Sequence, residues 1–293
     1  MDLQVDGAMF GSAGDAGCPD DANATAEDLG RSPRQESPSQ LASGRRHPGD
    51  SAAVPRVTLL DGFSLRSRGR RWEEIDRDMP RGAQRLVAHL CLSGRPARAA
   101  IAGQLWPDVP EDHALGSLRS TLWRLHKVAP GLIDVSGDAL SLAAGVWVDV
   151  RELSDWAERV RDPHASVEDV TVPPALLRGD LLPGWYDDWV LLERERVRQL
   201  RLHTLEALAV RLVAVGRLGD ALDVAYEAVR AEPLRESAHR TVVRVHLAEG
   251  NLVEAARAHD RFREMLWNEL GVQPSELMTR LLRGASRPSR VAS

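Results

Sequence analysis

The apolar and polar positions divide the chain into an unpatterned opening, a short β-and-helix stretch, and a long helical remainder. Val57–Leu60 and Phe63–Arg66 read as short strands joined by Asp61-Gly62, a dipeptide suited to a type I′ hairpin turn. A third strand is expected at Trp72–Ile75. After Pro80 the period changes. Ala83, Leu86, Val87, Leu90 and Cys91 recur at i, i+3, i+4, i+7 and i+8, the stripe of an amphipathic helix that Gly94 ends. A shorter helix follows over Arg98–Leu105, closed by Trp106-Pro107.

The third helix of this stretch is expected to start at Asp108 as N-cap, with Glu111 completing a capping box and Pro110 in the first turn. It should run to about Val128, ahead of Pro130. Leu132–Val135 and Leu140–Leu142 flank Ser136-Gly137-Asp138 as a second hairpin, and Val146–Val148 adds a strand. Strands, three helices and a hairpin make a winged helix-turn-helix layout with an N-terminal sheet.

The remainder reads as helices over Arg151–Val160, Glu193–Val215, Leu218–Ala231, Arg235–Glu249, Leu252–Leu270 and Ser275–Arg283, with a loop at Pro163–Pro174. A shift of 34 residues superposes Ala214 on Ala248, Gly216 on Gly250, Leu218 on Leu252, Asp220 on Glu254 and Ala221 on Ala255. That is the tetratricopeptide period, with glycine at the tight turn between paired helices. The predicted fold class is therefore mainly α with a small β component: a winged helix-turn-helix domain followed by an all-α tetratricopeptide-like domain. The expected boundaries are a disordered tail at 1–55, the winged helix at 56–150, the helical domain at 151–283 and a C-terminal tail at 284–293.

Composition agrees with the division. Residues 1–55 hold 5 Pro, 7 Gly and 6 Ser, with Phe10 the sole aromatic. Such a segment buries too little apolar surface to offset its ordering entropy. Its net charge is −5, against +2 for residues 56–150 and −2 for residues 151–293. The middle block alone has a positive balance, and a small one, so clustering must make any case for nucleic acid. Lys127 is the only lysine among 38 basic residues. That bias points to G+C-rich coding, so an arginine by itself is weak evidence of chemistry. Cys18 and Cys91 are too few to staple a secreted domain or build a zinc site. No long apolar run or basic leader is present, which leaves the cytoplasm as the expected compartment and no membrane association.

Catalytic patterns are missing. The sequence has no Gly-rich phosphate loop with Lys, no His-Glu-x-x-His and no Gly-x-Ser-x-Gly. Asp187-Asp188 reads as a helix-start feature, and His239 and His246 as packing or solvated residues. No enzyme activity, cofactor or metal is expected.

The third helix carries the informative chemistry. Ala114, Leu115, Leu122 and Leu125 fall within roughly 60° of Leu118 at about 100° per residue. The opposite side holds His113, Gly116, Ser117, Ser120, Trp123, Arg124 and Lys127, with Arg119 on the flank and no acid between His113 and Lys127. Small residues let a helix approach base edges, Ser and Arg hydrogen-bond to them, and cations answer phosphates. Ser117, Ser120, Arg124 and Arg119 are the candidate base contacts. Arg81, Arg98, Lys127 and Ser136 are the candidate phosphate contacts, Ser136 at a hairpin tip (Ser136–Asp138) that could enter the minor groove, where Asp138 is a poor neighbour for phosphate. Trp123 is placed either against a sugar or thymine methyl or under the wing.

Arg81–Arg85 (RGAQR), Gly103–Asp108 (GQLWPD), Leu118–Leu125 (LRSTLWRL), Leu181–Trp189 (LLPGWYDDW), Leu192–Arg196 (LERER), Ala231–His239 (AEPLRESAH), Leu247–Asn251 (LAEGN) and Glu269–Pro274 (ELGVQP) together resemble the Streptomyces antibiotic regulatory protein family. The family pairs an OmpR-like winged helix with a bacterial transcriptional activation domain. The resemblance implies an activator that binds promoter DNA at direct repeats near the −35 region. It also implies contact with RNA polymerase holoenzyme, including its sigma factor, and two protomers side by side on the DNA. Many relatives carry Asn before the Leu-Arg of the third helix, where this chain has Ser117. Two other readings stay open at this point: a tetratricopeptide-type interaction scaffold, and a repressor using the same DNA contacts.

Overall fold

A computed structural model describes residues 54–68, 72–74, 79–170, 172–173, 177 and 179–285. The expected tail up to residue 53, Ile75 at the end of the third strand, and the C-terminal residues from 286 lie outside the described residues. The fold is a winged helix followed by an all-α, tetratricopeptide-like array.

The strands β1 (Arg56–Thr58), β2 (Ser64–Arg68) and β3 (Trp72–Glu74) lead into helices α1 (Arg81–Ser93), α2 (Arg98–Leu105) and α3 (Glu111–Val128). Then come β4 (Ile133–Ser136), β5 (Ala139–Leu142) and β6 (Trp147–Val148). The first sheet has the order β3-β2-β1-β6, with β1 antiparallel to β2 and parallel to β6. The wing is the hairpin β4–β5, with Ser136 opposite Ala139. Gly137, at φ 61, gives this two-residue loop the positive first φ of a type II′ turn. The outer edge of β5 is occupied as well: Leu140 donates its amide to the Pro96 carbonyl at 3.1 Å, and Arg98 donates to Asp138 at 2.9 Å. The wing is thereby fastened to the start of α2.

The first hairpin departs from the sequence expectation. Asp61 and Gly62 do take positive φ, 64° and 125°. Yet β1 leaves β2 after the Thr58–Ser64 pair, so residues 59–63 make the connection. Leu59 and Leu60 find other partners. Their amides both donate to Asp149 Oδ2 at 2.8 Å, the Leu59 carbonyl accepts from Leu182 at 2.8 Å, and Asp61 donates to Asp180 at 3.0 Å. Buried amides need acceptors, and here a segment about 120 residues downstream supplies some of them. The approach is close. Gly179 has φ +67, and a Cβ built there would lie 2.5 Å from Asp61 Cβ.

Helix α4 (Asp149–Arg161) starts directly after β6, and its C-terminal carbonyls meet a guanidinium from another helix. Arg211 donates through Nη1 to the carbonyls of Arg159, Val160 and Asp162 at 3.1, 2.7 and 2.9 Å, and through Nη2 to Ala165. The cation also suits the negative end of the α4 dipole.

The array consists of α5 (Asp188–Ala214), α6 (Leu218–Ala231), α7 (Glu236–Ala248), α8 (Leu252–Leu270) and α9 (Glu276–Ala285). α5 begins well before the expected Glu193, because Trp189 and Val190 pack into the core, Trp189 edge-on to His89 of α1, rather than lying in a loop. The 34-residue repeat appears in the backbone. Gly216 donates to Val213 at 3.0 Å and Arg217 to Leu212 at 2.9 Å; Gly250 donates to Leu247 at 3.1 Å and Asn251 to His246 at 2.8 Å. These are two Schellman motifs in matching places, with glycine φ of 78° and 75°.

One apolar core runs from Val57 in the winged helix to Met278 in α9, with Trp156 and Phe262 its largest fully buried side chains. Each fully buried Leu in it contributes about 1.5–3 kcal/mol.

Candidate nucleic-acid interface

α3 begins later than its sequence implies. Its N-cap is Pro110, with no side-chain cap hydrogen bond, so Asp108 does not cap it and no capping box forms. The reason is local: a residue before proline is driven to extended backbone, so Val109 cannot join the helix. The first helical bond instead runs from Ala114 to the Pro110 carbonyl at 3.0 Å. Glu111 and Asp112 occupy the first turn, and His126 and Lys127 the last, each sign complementing the helix dipole.

The inner face is close to the expected stripe. Ala114, Leu118 and Leu125 are buried, and Leu115 and Leu122 pack partly against the core. Thr121 is buried too, 9 % exposed, and was not anticipated; it lies beside Leu118 on the helical wheel and at the edge of the apolar stripe. Its hydroxyl sits 3.6 Å from where a Cβ on Gly82 would be, so it packs where α1 and α3 meet.

The outer face is open. His113, Arg119, Ser120, Trp123, Arg124, His126 and Lys127 are exposed, with Gly116 and Ser117 half-buried. Trp123 is 61 % exposed, and the Lys127 ammonium stands 3.6 Å from its ring centroid, a cation–π contact that holds the ring outward. Trp123 is therefore not packed away under the wing.

The candidate contacts divide into groups. Ser117, Ser120 and Arg124 line one open depression of about 710 Å³ with Gly82, Trp106 and His113. Arg119 lies on the other flank, in a cavity of about 400 Å³ between α3 and the wing that it shares with Arg98, Trp123, His126 and Val135. The Arg98 Nε there is buried without a partner among the described residues. Ser136 is exposed at the end of β4. Arg81 is oriented elsewhere: its guanidinium lies 3.6 Å from the centroid of Trp185, and burial lowers its proton affinity against the pull of Asp187.

Trp106 and Gly82 were missed because neither carries charge or a helical register that marks a groove. The 181–189 segment was legible as a motif but not as a joint. Arg194 of α5 gathers the carbonyls of Leu181, Leu182 and Trp185 at 2.8, 2.7 and 3.0 Å. Asp187 pairs with Arg85 of α1, and the Trp189 ring meets His89 edge-on at 5.2 Å. Asp187 is thus the N-cap residue of α5 by position, while its carboxylate serves the ion pair.

Other chemistry is sparse. No group of three or more His, Cys, Asp or Glu able to hold a metal ion occurs among the described residues, and no described helix is long and apolar enough to cross a membrane. Burial pushes the Cys91 thiol far above its usual range. His239 stacks on Phe262 at 4.1 Å and bonds to the Pro233 carbonyl, with burial lowering its basicity. His246 is buried against Glu249 at 3.1 Å. Both histidines are packing residues.

Comparison with known proteins adds to the geometry. Residues 148–284 match the family model of the bacterial transcriptional activator domain. The regulatory protein AfsR of Streptomyces coelicolor is 29% identical over 228 residues, which is 72% of this chain and 23% of that protein. The AfsR of Streptomyces griseus is 26% identical over 259 residues, 82% of this chain and 26% of that protein. The chain spans about a quarter of the length of these curated relatives. Mycobacterium tuberculosis EmbR, solved in complex with a low-affinity phosphopeptide, superposes with a TM-score of 0.56 at 17% identity. That alignment covers 80% of this chain and 65% of the EmbR chain, a likeness of fold. With its winged helix joined through the 181–189 segment to a region that matches the bacterial transcriptional activator domain, the chain is similar to the AfsR regulatory proteins, in line with the family resemblance its motifs carry.

Proposed function

We propose that the chain is a DNA-binding transcriptional activator of specialised metabolism. Its winged-helix domain, residues 56–150, holds double-stranded promoter DNA, and its activation domain, residues 151–283, recruits RNA polymerase holoenzyme through its sigma factor. In this reading two protomers sit side by side on direct repeats near the −35 region, and the protein works in the cytoplasm at the nucleoid. Ser117, Ser120, Arg124 and Arg119 read base edges, while Lys127, Arg98 and Ser136 meet phosphates. Arg81 is the weakest of the phosphate candidates, since its guanidinium is already stacked on Trp185.

The observation that carries the proposal is the open outer face of α3. Ser120 near its middle and cations toward its end are exposed, while the start of α5 meets the winged helix at α1, through Asp187 with Arg85 and Trp189 with His89. Modest protein contacts then suffice for recruitment, because a protein fixed beside a promoter raises the local concentration of its second partner.

Footprinting on upstream regions of neighbouring genes, paired with a reconstituted transcription assay, tests the proposal. The expected result is a protected direct repeat and more transcript. A protected repeat with less transcript makes the protein a repressor, and no protection makes it a scaffold; either outcome overturns the activator reading.

A further inference from the structure

α5 and α7 are the leading helices of the two repeats, and their facing sides form a trough that DNA binding does not use. His203, Glu206, Ala207 and Val210 on α5 are matched, 34 residues later, by Ser237, Arg240, Thr241 and Arg244 on α7. All eight line one open cavity of about 680 Å³, closed at one side by the end of α4. The trough is thus built from equivalent positions in successive units of the repeat array.

Its charge is one-sided once each partner is accounted for. Glu206, the acid in the lining, is already held by Arg235 at 2.8 Å and by the Ser237 hydroxyl at 2.6 Å. Arg211 is committed to the carbonyls at the end of α4. Arg240 reaches Glu236 at only 3.3 Å, and its Nε is buried without a partner among the described residues. The exposed side chains of Arg161 and Arg244 have no hydrogen bond or ion pair among the described residues. Ala207 and Val210 supply an apolar surface beside these cations.

We propose that this trough binds an acidic peptide segment of a partner protein. Carboxylates would pair with Arg161, Arg240 and Arg244, and a small apolar side chain would rest on Ala207 and Val210. Several observations select a polypeptide. The cations come from two helices, Arg240 and Arg244 one turn apart on α7 and Arg161 at the end of α4, and the trough is open, whereas small-molecule sites enclose most of their ligand. A duplex is too wide to lie between two packed helices, and the apolar floor offers phosphates nothing. The inference stands apart from the DNA reading, since it uses no residue of the winged helix.

The test is fluorescence anisotropy on the full chain with a labelled peptide of repeating Glu-Asp-Leu triplets and a Lys-Arg-Leu counterpart. The acidic peptide should bind and the basic one should not. The Arg161→Glu/Arg244→Glu variant should lose at least about tenfold in affinity, because charge-assisted contacts are replaced by repulsion. Arg244→Gln should fall between that variant and wild type, keeping the measurement informative if the double variant unfolds. Arg280→Glu, on the exposed side of α9, should stay within about twofold of wild type, the range of an exposed charge. Equal binding of both peptides, no binding of either, or undiminished affinity in the double and Gln variants overturns the proposal. So does displacement of the peptide by inorganic phosphate or succinate at matched ionic strength, which would mark a small-anion site.

Discussion

Asp149 places one carboxylate oxygen 2.8 Å from the amide of Leu60, 89 residues earlier in the chain. The same oxygen accepts from Leu59, and the other accepts from Val150 at 2.7 Å. A single side chain at the start of α4 thus fixes where β1 leaves its sheet and turns toward the activator domain. Asp149→Ala strands buried amides, at about 1–3 kcal/mol for each unsatisfied group. Urea denaturation should show a loss of about 2–4 kcal/mol.

That loss should depend on pH. Burial, working against the amide hydrogen bonds, raises the Asp149 pKa above its ordinary 3.8. A raised folded-state value means that the carboxyl group's contribution is full below the unfolded pKa and declines as pH rises through the folded one. The gap between wild type and Asp149→Ala should therefore be widest near and below pH 3.8 and narrow toward neutrality. A gap that widens with pH contradicts this assignment.

Gly179 and Gly216 both hold left-handed backbone, at φ +67 and +78, but in different surroundings. Gly216→Ala meets nothing within 4 Å and should cost only the conformational penalty, about 1–2 kcal/mol. Gly179→Ala adds a clash with the Asp61 backbone and should cost distinctly more. Thermal melts of the two variants should keep that order.

Arg211 closes the C-terminus of α4 through the carbonyls of Arg159, Val160 and Asp162. Arg211→Met keeps much of the apolar stem and removes the donors. Hydrogen exchange should accelerate over residues 156–165 while α7 and α8 stay protected, with a global loss of about 1–3 kcal/mol. A uniform rise in exchange over the whole array would show that the contact acts on packing instead.

How much was legible in advance follows from how local each signal is. The stripe Ala83, Leu86, Val87, Leu90, Cys91 gave α1, because apolar spacing alone decides which face is buried. The repeat glycines 216 and 250 gave the turns of the array, because a left-handed C-terminus is a local demand. Asp108 misled because its polarity favoured a cap that the Val109-Pro110 backbone forbids. The first five residues of α5 and the detour of Leu59-Leu60 were illegible, since both are settled by partners far along the chain. On the interface, the outward set around Ser120 could be read from the wheel. The cavity that the wing closes around Arg119 could not, nor could the engagement of Arg81 by Trp185.

Lys127 and Ser120 are assigned different work on DNA. Lys127→Ala should weaken binding on every sequence and lower the salt slope by about one contact. It should also release Trp123 from its cation–π contact. Ser120→Ala should change which base is preferred at one position while leaving the salt slope alone. Equal loss on all duplexes from both changes contradicts the assignment.

Photo-crosslinking from position 120 examines the interface itself. Ser120→Cys in a Cys18→Ser background leaves the introduced thiol as the reactive one, because Cys91 is buried with its thiol pKa pushed up. With a crosslinker attached there, the protein should join covalently to a base within each repeat of its promoter duplex. A probe placed at exposed Val253 on α8 should join to none. Crosslinks from position 253 and none from position 120 would contradict the claim that the outer face of α3 holds the DNA.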